Sequence, residues 1–300
     1  MGCPTEPFRG SLRSAWASEN VNRSFAFAVR DSITQARYLT PPYHFLVPSA
    51  VMRASTDDVI FHAGCRELPA GSLRRVGRGV FVVSPECCMR QLACELDVAQ
   101  LVMLGYELCG SYSFAADGSA AFETLPQTSV GKLRRHAEAS QGAHGVKRMR
   151  GALSLVGNGS RSSAETAVAM LLGMPHRYGG YGFPAPVLNY RVDPRGSRRA
   201  LVAQSHFFCD LCWPDRRVAV EYDSDLCHTG AERIARDARR RADLLALGIT
   251  AITLTRAQLY DERAFYSFAL MLAKRLGYRI RIRCEGFEAR RRLLRQRTLY

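Results

Sequence analysis

The chain has 300 residues and a formal net charge of +15, from 42 lysines and arginines against 27 aspartates and glutamates. Its 47% hydrophobic content suits a soluble protein with at least one real core, and the length suits two domains. No apolar run reaches the ~18 residues of a membrane helix, and Met1 to Arg30 lacks the apolar centre of a secretion signal, so neither a membrane-spanning nor a secreted protein is expected.

The expectation is therefore a cytoplasmic protein whose ten cysteines are thiols and not a disulfide frame. Lys132, Lys147 and Lys274 are the only lysines, so the excess charge is arginine. Such an excess implies an acidic partner, most commonly nucleic acid, against the plainer reading of solubility charge.

In chain order, residues 1–30 read as a poorly ordered lead-in and 31–150 as a small mixed α/β N-terminal domain. Val59–His62 and Val80–Val83 are short strand candidates. Ser84-Pro85-Glu86 reads as a helix start, and Leu92, Leu96, Ala99 and Met103 continue at helical spacing, which predicts one helix to about Leu104. A polar stretch places the domain boundary between Ala139 and Ser160, leaving 151–300 as the second domain.

That second domain has a clearer rhythm. Ser162 opens a helix whose apolar positions, Ala164, Ala167, Val168, Leu171 and Leu172, predict one buried face. Strands follow near 187–192, 204–212 and 217–223. A helix spans about Gly230 to Leu247 with Gly248 as its stop, and Ile249–Leu254 is a β-branched fourth strand. A further helix covers about 256–276, and an arginine-rich stretch closes the chain. The order is helix, three strands, helix, strand: an α/β fold in the α+β sense, with a mixed sheet.

The chemistry lies in the middle strands. If residues 214–217 form a turn, antiparallel pairing sets Trp213 opposite Val218, Cys212 opposite Ala219, Leu211 opposite Val220 and Asp210 opposite Glu221. Alternation then puts Asp210, Glu221 and Asp223 on one face. Three converging carboxylates repel one another, and burying them needs compensation. Hard oxygen donors select Mg²⁺ or Mn²⁺; pairing with arginines such as Arg216 and Arg236 is the plainer alternative. Cys209, Cys212, Cys227 and His228 outline a zinc pattern, but strand residues three apart point to opposite faces, which argues against it.

The segments Asp210-Leu211-Cys212-Trp213-Pro214, Val220-Glu221-Tyr222-Asp223, His228, Arg236-Asp237-Ala238-Arg239-Arg240-Arg241 and Leu245-Ala246-Leu247-Gly248 resemble the very-short-patch-repair-type nuclease domains of the PD-(D/E)XK, restriction-endonuclease-like superfamily. The resemblance covers roughly 160–256 and implies an αβββαβ core and metal-dependent hydrolysis of DNA. It implies that Asp210 and Glu221 ligate the metal, with Asp223 beside them, Glu165 as the helix acid and His228 near the scissile phosphate. Glu165 also reads as half of a capping box with Ser162, and His228 precedes another at Thr229. Arg236, Arg239 and Arg240 are the phosphate-contact candidates. Arg290–Arg292, Arg295 and Arg297 either clamp a backbone or form a solvated helix face.

Two departures stand out: Asp223 replaces the lysine of the named motif, and Ser224-Asp225 follow where the family tends to place glycine. In the N-terminal half, Leu73–Phe81 and Val83–Glu86 resemble the antitoxin-like domains of abortive-infection systems, which implies DNA binding or contact with a protein partner. The expected function is a metal-dependent DNA endonuclease in a defence or toxin–antitoxin setting. The alternative is a non-enzymatic DNA-binding regulator with a relic nuclease domain.

Overall fold

The computed structural model describes residues 6–7, 42–47, 57, 59–63, 68–77, 80–114, 120–224 and 231–299. The lead-in expected over 1–30 lies, apart from Glu6–Pro7, outside the described residues, as does His228. Contacts divide the chain into one unit of 1–95 with 132–149, and a second of 96–131 with 150–300.

The first unit holds β1 (Glu6–Pro7), β2 (Tyr43–Val47), β3 (Val59–Ala63), β4 (Leu73–Gly77), β5 (Val80–Val83) and α1 (Pro85–Leu92). Strands β1, β4 and β5 form one antiparallel sheet, and β2 pairs with β3 in parallel. Ser84 caps α1 by accepting the Cys87 N–H at 3.3 Å.

The helix expected to run on to Leu104 is two helices. α1 ends at Leu92, and α2 (Val98–Leu108) begins afresh at Asp97. Asp97 Oδ1 accepts the Gln100 N–H at 2.9 Å, and the Gln100 side chain accepts the Asp97 N–H at 3.1 Å. This reciprocal cap satisfies donors that a continuous helix would have used internally, so the apolar spacing carried on across a real break.

The second unit continues with the hairpin β6 (Tyr112–Phe114) and β7 (Ala120–Phe122), then α3 (Val130–Ala139) and α4 (Val146–Leu153), which the unit division cuts, and α5 (Ser163–Gly173). After α5 come β8 (Val187–Val192), β9 (Phe207–Trp213), β10 (Val218–Asp223), α6 (Ala231–Ala246) and β11 (Thr250–Thr255). The protein is thus a mixed α+β fold, with an αβββαβ order in this unit. The sheet runs β11-β10-β9-β8, with β9 antiparallel to both neighbours and β10 parallel to β11. A parallel pair needs a crossover, which α6 supplies.

Helix α6 covers one face of this sheet. Its Leu244 and the following Leu247 join Phe207, Cys209, Cys212 and Ala219 in one buried cluster. It stops where Gly248 turns left-handed, at φ 83°. The Gly248 N–H then reaches the Leu245 carbonyl, and the Ile249 N–H the Leu244 carbonyl, both at 2.8 Å. That pair of bonds satisfies two orphan carbonyls and turns the chain into β11.

Two expectations change here. α5 is buried from Glu165 to Leu172, not on one face alone, because α9 (Phe287–Leu299) packs against it as well. The expected helix 256–276 divides into α7 (Arg256–Tyr260) and α8 (Glu262–Leu276), because Asp261 accepts the Ala264 N–H at 2.7 Å and restarts the helix. Among the described residues no helix is long and apolar enough to cross a membrane.

Candidate acidic site

The expected register is present as far as Leu211: Trp213 pairs with Val218, Cys212 with Ala219 and Leu211 with Val220. The turn is a short 3₁₀ segment, Pro214–Arg216, closed by left-handed Arg217. The next pair, Asp210 with Glu221, does not form; the ladder ends at Val220. On the other side, β8 pairs Leu188 with Leu211 and Tyr190 with Cys209, but skips Asn189 and Asp210 between them. Asn189 sits at φ 46°, a left-handed conformation that asparagine tolerates better than most residues. Strand β9 is therefore released from both neighbours at Asp210.

This break has two consequences. Cys209 and Cys212 are free thiols that enter the same buried cluster and interact there, so the expectation that they face opposite sides is overturned. The ladder misses one pair there without changing register. Asp210 is likewise not set by period-2 geometry: its Oδ2 accepts the Tyr222 backbone N–H at 2.9 Å. A backbone donor of a strand lies in the sheet, so this carboxylate lies in the gap between β9 and β10.

Glu165 arrives from the first turn of α5. Ser162 Oγ accepts the Glu165 N–H at 3.1 Å, which is the cap. The carboxylate does not complete a capping box. Its Oε2 instead accepts the Arg161 N–H at 2.9 Å and Asn189 Nδ2–H at 2.6 Å, and its Oε1 accepts the Ser162 hydroxyl at 3.2 Å. Asn189 Nδ2 also donates to the Gly159 carbonyl at 2.9 Å. The residue that opens the β8–β9 ladder thus also ties down Glu165.

Glu221 projects toward α6, where Arg240 Nη2 meets its Oε2 at 2.9 Å. The same Nη2 donates to the Phe208 carbonyl. Glu221 Oε1 is buried without a hydrogen-bond partner of normal geometry, the Cys209 thiol beside it being a weak donor.

Asp210 acts on both of the other carboxylates. Burial pushes Glu165 up to about 7, with Asp210 adding to the rise and the Arg161 N–H, Asn189 and Ser162 opposing it. Burial raises Asp210 against the pull of the Tyr222 N–H, Arg240 and Arg161. Burial and Asp210 raise Glu221 against Arg240. Desolvation outweighs the hydrogen bonds in each case, as expected for anions held short of full compensation.

Asp223 is placed otherwise. It pairs with Thr255 of β11 and lies half-buried next to Tyr222. It is not among the groups that raise Glu165, Asp210 or Glu221. Among the described residues, no three His, Cys, Asp or Glu side chains gather closely enough to hold a metal ion. The expected convergence of Asp210, Glu221 and Asp223 on one metal is thus corrected: Glu221 and Asp223 stay two apart on a regular strand and share a face, but Asp210 turns into the gap between β9 and β10 and no three such groups gather among the described residues. The structure couples Glu165, Asp210 and Glu221 instead.

The arginine candidates also separate. Arg236 and Arg239 are exposed on α6, while Arg240 is half-buried in the site. In the tail, Arg291 and Arg295 are each 6% exposed. Arg291 meets Glu262 at 3.0 Å, and Arg295 Nη2 donates to the Leu259 and Tyr260 carbonyls at 2.9 Å each. Those two lock α9 onto the second unit, so neither reading of them as clamp or solvated face holds. A hollow of about 780 Å³ beside them, lined by Glu262, Tyr266 and Arg291 among others, is remote in sequence from the carboxylate set.

Arg161 and Asn189 were not singled out from the sequence. A lone asparagine in a strand otherwise made of Val, Leu, Tyr and Arg was the available signal, since asparagine is depleted in strands. Arg161 carried no signal beyond preceding a cap; its guanidinium carbon lies 4.3 Å from the centre of the Phe208 ring.

No family model matches the chain, and no solved structure does. Two uncharacterized proteins of Mycobacterium tuberculosis, from two strains, are each 33% identical to it over 97 residues. That match spans 32% of this chain and 31% of each relative.

Proposed function

We propose that the second unit is a metal-dependent endonuclease acting on DNA, with its centre at Asp210, Glu221 and Glu165. The observation that carries this reading is a half-buried Asp210 on β9 that acts on two further half-buried or buried carboxylates, Glu165 of α5 and Glu221 of β10. The αβββαβ order supports it in combination with the resemblance of the Asp210–Gly248 stretch to very-short-patch-repair-type nucleases.

The residues fit Mg²⁺ or Mn²⁺ in their chemistry. The Oε1 of Glu221 is a hard oxygen whose only neighbouring donor among the described residues is the weak Cys209 thiol. Mg²⁺ is commonly held by one or two carboxylates and keeps several waters, so Asp210 and Glu221 suffice as protein ligands. When bound, such an ion lowers the pKa of its water and polarises a phosphoryl oxygen. Glu165, pushed up to about 7, exchanges a proton near neutral pH, which suits general acid–base work. Arg236 and Arg239 hold the DNA backbone from the solvent side of α6. His228, outside the described residues, keeps the role that the resemblance implies.

A second reading has its own observation. Arg240 already neutralises Glu221, and Asp223 stands where the motif has lysine. Both suit a DNA-binding regulator with a relic centre, in which the N-terminal unit contacts DNA or a protein partner. Incubating the full chain with plasmid, mismatched duplex and RNA, with and without Mg²⁺ or Mn²⁺, separates the two. Metal-dependent cleavage supports the nuclease. Duplex binding with no cleavage under any divalent ion supports the regulator.

A further inference from the structure

We propose that Arg240 takes a non-bridging oxygen of the phosphodiester. This rests on the nuclease reading and names the group that receives the substrate within it.

The electrostatics ask for such a group. The centre places Asp210 within electrostatic reach of Glu165 and of Glu221. An approaching phosphodiester, itself an anion, meets repulsion from all of them, which grows as the site excludes water. A fixed cation at the same point offsets it at no cost of reorganisation during the reaction.

Arg240 meets the geometric need. It comes from α6 to Glu221, and its charge also acts on Asp210. Both of its contacts, to Glu221 Oε2 at 2.9 Å and to the Phe208 carbonyl, leave from Nη2. A guanidinium carries five donors in a planar fork, so Nη1 and Nε remain to face a ligand. The side chain is 33% exposed, against 7% for Arg291, whose place is structural. The two anchors fix the fork's direction, and the remaining donors suit a tetrahedral phosphate.

The test uses the full chain carrying Arg240→Gln, which stays polar but loses the charge, and Arg240→Lys, which keeps the charge. Binding of a DNA duplex is measured in EDTA from ~50 to ~200 mM salt, and single-turnover cleavage is measured with Mn²⁺. Arg240→Gln is expected to reduce the slope of log affinity against log salt by about 0.9, the signature of one lost phosphate contact. It is also expected to slow cleavage by about 100-fold or more. Arg240→Lys should keep the slope and recover part of the rate. A purely structural Arg240 would lower the melting temperature of Arg240→Gln and leave the slope alone, which overturns the proposal.

Should Arg240→Gln not fold, the wild type carries the test. Phenylglyoxal modification of Arg240, read by peptide mass spectrometry, should be suppressed by duplex in EDTA; an unchanged rate overturns the proposal. A wild type that cuts, with Arg240→Gln cutting equally well at the same slope, removes this inference alone. A wild type that binds no duplex removes the nuclease reading with it.

Discussion

Asp210 is bonded to Tyr222, not paired with Glu221: its Oδ2 accepts the Tyr222 backbone N–H at 2.9 Å, at the point where the β9–β10 ladder has ended. The carboxylate thereby serves a donor that the ladder leaves unpaired. Asp210→Asn keeps an oxygen there and removes a charge that burial disfavours, so its thermal midpoint at pH 7 should equal or exceed that of the wild type. Asp210→Leu leaves the N–H unpaired, at a cost of about 1–3 kcal/mol. For a chain of this size that is a drop of roughly 2–4 °C per kcal/mol. Thermal unfolding followed by circular dichroism checks both; a large loss in Asp210→Asn would mean that the charge itself holds the strand.

Glu165 makes stability depend on pH. Its ordinary value is 4.5, and the folded chain holds it at about 7. Between those values the folded state binds more protons than the unfolded state, so stability falls as pH rises through that window and levels off above it. Below 4.5 both states are protonated and the effect vanishes. Glu165→Gln removes the titration while keeping an acceptor for Arg161 and Asn189. Its melting temperature relative to wild type should rise from pH 4.5 to pH 7 and then stay flat. A difference independent of pH would show that folding leaves the Glu165 carboxyl unshifted.

The tail arginines divide by burial. Arg295→Ala strips two carbonyls, Leu259 and Tyr260, of a buried donor, and each unpaired acceptor costs about 1–3 kcal/mol. The exposed neighbour Arg292 should tolerate alanine within about 0.5 kcal/mol. Urea titration of the two variants distinguishes them, and equal midpoints would contradict the structural role of Arg295.

Arg236 and Arg239 should carry the opposite signature. The double alanine variant is expected to melt like the wild type while its duplex binding weakens across all sequences. The salt slope should fall by roughly 2, one for each phosphate contact. An unchanged slope would make both residues ordinary solvated charges.

Much of the second unit is legible because its elements obey simple periods. Strand β10, the Pro214 turn and the stop at Gly248 follow from alternation, turn chemistry and left-handed glycine. Alternation fails at Asn189 and Asp210, and there the site lies. A gap in the ladder is set by which backbone donors the side chains capture, and no spacing rule encodes that capture. The same holds for Asp97 and Asp261, whose caps divide helices that apolar periodicity alone runs together. Arg291 and Arg295 read as solvated because charge runs usually are; only the packing of α9 on the second unit buries them.

The central claim is that Asp210, Glu221 and Glu165 form a hydrolytic centre. Its most direct test is single-turnover cleavage of plasmid and mismatched duplex by the wild type and Asp210→Asn, with Mg²⁺, with Mn²⁺ and in EDTA, at matched folding. The expected result is metal-dependent cutting by the wild type, a loss of about two orders of magnitude or more in Asp210→Asn, and duplex affinity in EDTA that is equal or slightly higher. Cutting by Asp210→Asn at the wild-type rate, or wild-type binding without cutting under either metal, would contradict it.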